Sequence, residues 1–287
     1  MFMKAKFRNV YQYLAYHGKL ACSCLKGNEN RMLPSVYVVG TQKGGTTSCF
    51  SHLSKHSLFA EPLQKEIRFF QDPKRRRKGL SWYQAHFPFK KKDGMVTGEA
   101  STFMYSRHVP RLLKEFNPEA RLIFLLRDPR ERAISHYYHN LRRSGREPLS
   151  IDEAFYSEED RIQESHRHGV EDEWFDDEVN RCFSYLARGD YANQLERWSE
   201  FFSRKQMLLI ESESFFSDTQ KVMEEVFHFL DLQPEVFDFG ARLNSGSYSV
   251  SLESNLEQFL VERYRDGVRA LVEEFDFVPS WASYYID

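Results

Sequence analysis

Four cysteines are too few and too scattered to organise this 287-residue chain around disulfides. They stand at 22, 24, 49 and 182, and only Cys22 and Cys24 lie close, as a C-x-C pair. No second pair of Cys or His follows at zinc-like spacing, so neither a disulfide framework nor a structural zinc site is indicated. A reducing, cytoplasmic setting is the expectation. No apolar run approaches the roughly 18 residues of a membrane-spanning helix. A signal-peptide core is missing too, because Lys4, Lys6, Arg8, His17 and Lys19 interrupt the first 25 residues. Residues 1–33 therefore read as an N-terminal extension. It packs plainly on the domain, or it associates weakly with a membrane surface through Phe7, Val10, Tyr11 and Leu14. A global basic excess is also absent, the formal net charge being −2, and no groove-reading motif occurs. Nucleic acid is not an expected partner.

What the chain does have is apolar content of 41%, including 15% aromatic residues, ample for one large core. Its charge is locally lopsided. Lys74 to Lys78 reads KRRRK, Lys90 to Lys92 adds three cations, and an acidic run leads from Glu171 to Glu178. Such runs are solvated faces or, for the cations, a basic rim facing an anionic acceptor. The polar segment 26–34 ends in Pro34, which places the start of the compact domain there, running to residue 287.

Short apolar runs alternate with helical periodicity along that domain. Val36 to Val39, closed by Gly40, reads as a buried strand, and a helix follows through Phe50 and Leu53. A strand is expected around Met95 to Gly98 and a helix near Val109 to Phe116. Arg121 to Arg127 (RLIFLLR) is the strongest strand signal. Directly after it, Asp128-Pro129-Arg130-Glu131 supplies a cap, a proline at the first helical position and an acid in the first turn. That helix is expected to reach Arg143, with an irregular charged insertion over 144–182. Tyr191 to Phe202 reads as helix, Met207 to Ile210 as strand, and Ser217-x-x-Gln220 as the capping signal for a helix through Phe229. A last helix covers Leu252 to Phe275. Strands alternating with helices give an α/β fold, one domain with a central parallel sheet flanked by helices.

Gly40-Thr41-Gln42-Lys43-Gly44-Gly45-Thr46-Thr47 falls between the first strand and its helix. Glycines let backbone N–H groups converge on an anion, and the helix N-terminus adds its dipole. The loop is P-loop-like but departs from G-x-x-x-x-G-K-[ST], since Thr46 fills the lysine slot and the lysine sits at Lys43. A lysine inside the loop suits a single phosphate or its leaving oxygen better than a β/γ-phosphate pair with Mg²⁺. Arg127 closes the strongest strand, where ligands of open α/β sheets gather, and Ser135 lies two helical turns on. Together they suit a second anion, gripped by guanidinium and hydroxyl.

These motifs resemble the sulfotransferase superfamily. T-Q-K-G-G-T-T is similar to its 5'-phosphosulfate loop, and L-R-D-P-R-E-R-A-I-S-H-Y to its 3'-phosphate motif. Lys65-Glu66-Ile67-Arg68-Phe69-Phe70, Lys78 to Tyr83 and Phe87-Pro88 resemble heparan sulfate N- and 3-O-sulfotransferases. Gly98-Glu99-Ala100-Ser101 and Asn244 to Tyr248 are similar to related bacterial enzymes. The resemblance implies sulfuryl transfer from 3'-phosphoadenosine 5'-phosphosulfate (PAPS) to a hydroxyl or amine, on a saccharide, with no metal. It implies a donor cradle of Gln42, Lys43, Gly44, Gly45, Thr46 and Thr47, and a 3'-phosphate site of Arg127 and Ser135. Tyr248 would lie near the nucleotide. Glu66 would be the general base, opposite Lys43, unless it is simply ion-paired with Lys65 or Arg68. Lys65, Arg68 and Arg107 are the expected acceptor-binding cations. The rival readings are a nucleotide-dependent phosphotransferase and a non-catalytic carbohydrate- or polyanion-binding protein.

Overall fold

Leu122 to Leu126 places five apolar side chains in succession, and all five are fully shielded from solvent. Only a strand covered on both faces can bury such a run. In the computed structural model, which describes residues 2–142, 146–168, 182–235, 237 and 252–286, this strand is central. The strands are β1 (Val36–Gly40), β2 (Gly98–Glu99), β3 (Arg121–Leu126) and β4 (Met207–Glu211), all parallel in the order β2-β1-β3-β4. The expected α/β architecture is present.

The helices are α1 (Phe2–Leu25), α2 (Thr46–Leu53), α3 (Pro73–Arg76), α4 (Leu80–Gln84), α5 (Val109–Phe116) and α6 (Pro129–Arg142). There follow α7 (Ile151–Tyr156), α8 (Glu158–His168), α9 (Tyr191–Ser199), α10 (Ser212–Ser217), α11 (Thr219–Phe229) and α12 (Ser254–Phe275). Alternation along the strands divides the core in two. Tyr37, Val39, Leu122, Phe124 and Leu126 face a large aromatic cluster with α9 and α12, around Trp198. Val36, Val38, Ile123, Leu125 and Ile210 face the smaller layer under α2 and α11.

Two local expectations shift. The strand expected at 95–98 pairs with β1 only at Gly98–Glu99, because Val96 exchanges its backbone hydrogen bonds with Leu58 and Ala60 instead. The cap of α11 is Asp218, whose carboxylate accepts from Lys221 N at 3.1 Å, while Ser217 ends α10. Within the charged insertion, α7 opens with a Ser150–Glu153 capping box. The acidic run from Glu171 lies outside the described residues.

The later part of α1 docks on the domain. Leu20 is buried, Tyr16 Oη meets His86 Nε2 at 2.8 Å, and Ser23 Oγ donates to Ala85 O at 2.7 Å. Arg31 ties the connection down through the carbonyls of Ser23, Gly27 and Phe87. Among the described residues, no helix is long and apolar enough to cross a membrane.

Trp198 is the keystone of the larger core layer. It stacks on Phe103, meets Phe124 edge-on and donates its indole N–H to Met104 O at 3.1 Å. Trp198→Ala removes that volume and orphans the carbonyl. Urea denaturation is expected to record a loss of about 3–5 kcal/mol.

Candidate active site

Because every strand is parallel, all four end on one edge of the sheet. After β1 the chain moves first to β2 on one side, then to β3 on the other. The crevice between β1 and β3 is thus a topological switch point, the place where open α/β sheets bind ligands. The loop Thr41–Gly45 fills the β1 side of that crevice. Thr41 N donates to Leu125 O at 2.7 Å, Gly44 N to Thr41 O at 3.0 Å, and Ser212 Oγ, just past β4, to Gly44 O at 2.7 Å. A Cβ on Gly44 would sit 2.6 Å from Leu125 O, so a side chain there would force the loop off β3. Gly45 enters α2 at φ 103°, a conformation that glycine adopts without strain. The N–H groups opening α2 are thereby presented to the crevice, with Thr46 buried and Thr47 exposed.

Lys43 occupies the left-handed region, at φ 75°. For a residue with a Cβ this costs on the order of 1 kcal/mol or more. Among the described residues no ion pair neutralises its ammonium. Burial, and then the like charges of Arg127, Arg142 and Arg132, push it below the usual lysine range. Arg127 follows β3; its carbonyl accepts from Tyr191 Oη at 2.8 Å and its guanidinium has a long 3.4 Å contact with Glu131. Ser135 is buried on α6. Lys43 of the first motif and Arg127 of the second thus lie within electrostatic reach of each other at the crevice.

A third segment closes the β2 side. Ala100 N donates to Lys65 O at 2.9 Å, Arg68 N to Ser101 Oγ at 3.3 Å, and Arg75 Nη1 to Ile67 O at 2.6 Å. This pins Lys65–Arg68 alongside the end of β2. Lys65 Nζ then stands 3.0 Å from Thr47 Oγ1 and 3.0 Å from Glu66 Oε1, tying the loop hydroxyl to the carboxylate. Below them Glu99 is fully buried. Burial foremost, and the neighbouring charge of Glu66, raise its carboxyl to about 8, with the Ser101 and Tyr83 hydroxyls and Arg75 opposing.

A family model described as sulfotransferase domain matches residues 33–264, over four fifths of the chain. The chain belongs to the sulfotransferase family. A sulfotransferase from Alicyclobacillus acidocaldarius is similar in structure, with a TM-score of 0.68 and 27% identity, covering 88% of this chain and 99% of that one. A mouse bifunctional heparan sulfate N-deacetylase/N-sulfotransferase 4 is 30% identical over 70% of this chain and 23% of its own length. A human heparan sulfate glucosamine 3-O-sulfotransferase 6 is 30% identical over 74% of this chain and 56% of its own length. The chain thus spans about a quarter to just over half of the curated relatives it matches.

In this sulfotransferase-family chain, Lys43, the glycine–threonine loop, Arg127, Ser135, Lys65 and Glu66 gather at one edge of the sheet. Gln42 is half-buried within the loop. Arg68 is half-buried at φ 56°, and Glu66 is ion-paired with Lys65, the alternative to a free base that the sequence held open for it. Arg107 stands exposed in the loop after β2, close enough for its charge to act on Arg197. Tyr248 lies outside the described residues. His136 is buried edge-on against Tyr185, a packing role. Among the described residues no group of His, Cys, Asp and Glu is arranged to hold a metal ion.

The sequence left Arg132, Arg142 and Ser212 out of the site, and it marked Glu99 only within the Gly98-Glu99-Ala100-Ser101 motif, with no role of its own. The first two carried a signal, since Arg132 falls within the R-D-P-R-E-R run and Arg142 ends the same helix. Ser212 had none, because a serine after a strand is commonplace. The raised Glu99 carboxyl has a measurable consequence. Its folded value exceeds the reference of 4.5, so the stability it contributes is complete below pH 4.5 and is lost as pH rises to about 8. Glu99→Gln is therefore expected to flatten the fall in melting temperature across that window.

Proposed function

We propose that this chain transfers a sulfuryl group from PAPS to a hydroxyl or amine of a saccharide. One observation carries the reading: a single ammonium, Lys65 Nζ, lies 3.0 Å from both the phosphate-loop hydroxyl of Thr47 and the carboxylate of Glu66. Donor cradle and base are thereby within one side chain of each other. The residues also fit the donor, since the Lys43 ammonium, with no ion pair of its own among the described residues, lies within electrostatic reach of Arg127, Arg142 and Arg132. A nucleotide with phosphate at both ends would relieve that like-charge crowding.

PAPS, when bound, supplies the activated sulfuryl group. Gly44, Gly45, Thr46 and Thr47 would hold its 5' end through backbone N–H groups and hydroxyls, with Gln42 beside them, and Arg127 and Ser135 its 3'-phosphate. Lys43 stabilises negative charge developing on the leaving oxygen. Glu66 takes the proton of the attacking hydroxyl or amine, while Lys65 orients the carboxylate and keeps it facing the loop. Arg68 and Arg107 would serve an anionic or polyhydroxylated acceptor. The heparan sulfate acceptors named for the relatives support a saccharide.

Two substitutions separate chemistry from binding. Glu66→Gln is expected to lower kcat by ~10²–10⁴-fold in a labelled-PAPS transfer assay across a saccharide panel, with the product nucleotide still binding near-normally. Near-normal turnover would remove Glu66 as the base. Lys43→Gly relieves the left-handed strain that Lys43 bears, so its melting temperature should hold or rise. Transfer should nonetheless fall by roughly 10²–10³-fold. A variant that kept its turnover would show that the ammonium is dispensable.

A further inference from the structure

The last residues of the chain close over the start of α6. Asp128 caps that helix, its Oδ1 accepting from Arg130 N at 2.9 Å and Glu131 N at 3.3 Å. The same oxygen accepts a third hydrogen bond from Tyr285 Oη at 2.7 Å, across 157 residues of sequence. The adjacent Tyr284 lays its ring against the Arg130 guanidinium, with Cζ 4.3 Å from the ring centroid. Its hydroxyl donates to Glu257 Oε1 at 2.7 Å, the oxygen that also receives Arg130 Nη1 at 2.8 Å. Two consecutive tyrosines thus hold Asp128 and Arg130, which bracket Pro129 immediately after Arg127. Tyr285 is itself anchored, buried edge-on to Trp281 and Tyr264. Burial, then the Asp128 charge, raise its hydroxyl far above the ordinary tyrosine range, so it remains a donor. The family match ends at residue 264, so the two tyrosines lie beyond it.

The chemistry of this corner explains what such a clasp does. Asp128 is an anion between Arg127 and Arg130 in sequence, and Arg130 Nη2 is already 4.0 Å from its second oxygen. A carboxylate released from its cap would be free to compete with an incoming phosphate for the neighbouring guanidiniums. With three donors on one oxygen, Asp128 stays in its capping pose. Arg130 is occupied by Tyr284, Glu257 and Glu131. Arg127 keeps its backbone tether to Tyr191 and its long contact with Glu131, and its guanidinium faces the crevice with Lys43.

We propose that Tyr285, seconded by Tyr284, is a positioning residue for the nucleotide's 3'-phosphate, holding Asp128 and Arg130 so that Arg127 stays available. The inference rests on the reading that Arg127 and Ser135 grip that phosphate. It is tested by titrating the full chain calorimetrically with 3'-phosphoadenosine 5'-phosphate and, separately, with adenosine 5'-monophosphate, which lacks the 3' group. Tyr285→Phe keeps the ring and deletes the donor. Its affinity for the bisphosphate should fall roughly three- to tenfold, with the monophosphate changing by less than about twofold. Tyr284→Leu, at a residue 43% exposed, should shift the same ratio in the same direction by less, and it decides the matter if Tyr285→Phe does not fold. Wild-type protein that binds both nucleotides equally would overturn the 3'-phosphate reading and the clasp with it. A wild type that discriminates, with variants that discriminate equally well, overturns the clasp alone. So does an equal loss for both nucleotides, which would mark general loosening.

Discussion

Four cations are held at one edge of this sheet against their own repulsion. Lys43 lies within electrostatic reach of Arg127, Arg132 and Arg142, and burial adds to the cost of charging it. Such crowding is unfavourable in the protein alone and becomes favourable when an anion arrives. The fold sustains it through neutral backbone contacts. Thr41 N on Leu125 O, Ser212 Oγ on Gly44 O and Tyr191 Oη on Arg127 O each fix a loop without supplying a counter-charge. An ionised aspartate could not stand in for either hydroxyl, since a carboxylate has no proton to give the Gly44 or Arg127 carbonyl, and it would neutralise the crevice besides.

The carboxylates nearby are distributed with corresponding care. Glu66 is ion-paired with Lys65 at the crevice wall, and Asp128 is turned into its own helix cap. Glu99 lies beneath, raised to about 8 and so protonated at neutral pH, adding no net negative charge below the crevice. Arg132, fully buried on α6, gives one hydrogen bond to the Tyr185 carbonyl and lends its charge to the same field. The acids are thereby either paired, pinned or neutral, which leaves the positive potential to the donor site in the proposed transfer.

Much of this was legible from one dimension. The run Leu122 to Leu126 could only be a doubly covered strand, and the Asp128-Pro129 pair marked the next helix to the residue. The glycine spacing in 40–47 located the loop because a Cβ at Gly44 collides with β3. Less was legible where tertiary contacts competed. Val96 was read as part of a strand over 95–98, but its backbone hydrogen bonds go to Leu58 and Ala60, and only Gly98–Glu99 joins the sheet. Ser217 matched a capping pattern, yet the next residue, Asp218, had the better geometry for the role.

By itself the sequence determined the alternation of strand and helix, the two anion motifs and their order, since these depend on apolar runs, glycine spacing and local capping. Only the tertiary structure decided that Lys65 bridges Thr47 and Glu66, that Glu99 is sealed beneath them, and that Tyr285 reaches back to Asp128. The Lys65–Thr47 and Tyr285–Asp128 contacts join residues 18 and 157 positions apart. No periodicity encodes such pairings. They exist because parallel strands deliver their ends to a common edge, where side chains distant along the chain come within hydrogen-bonding reach.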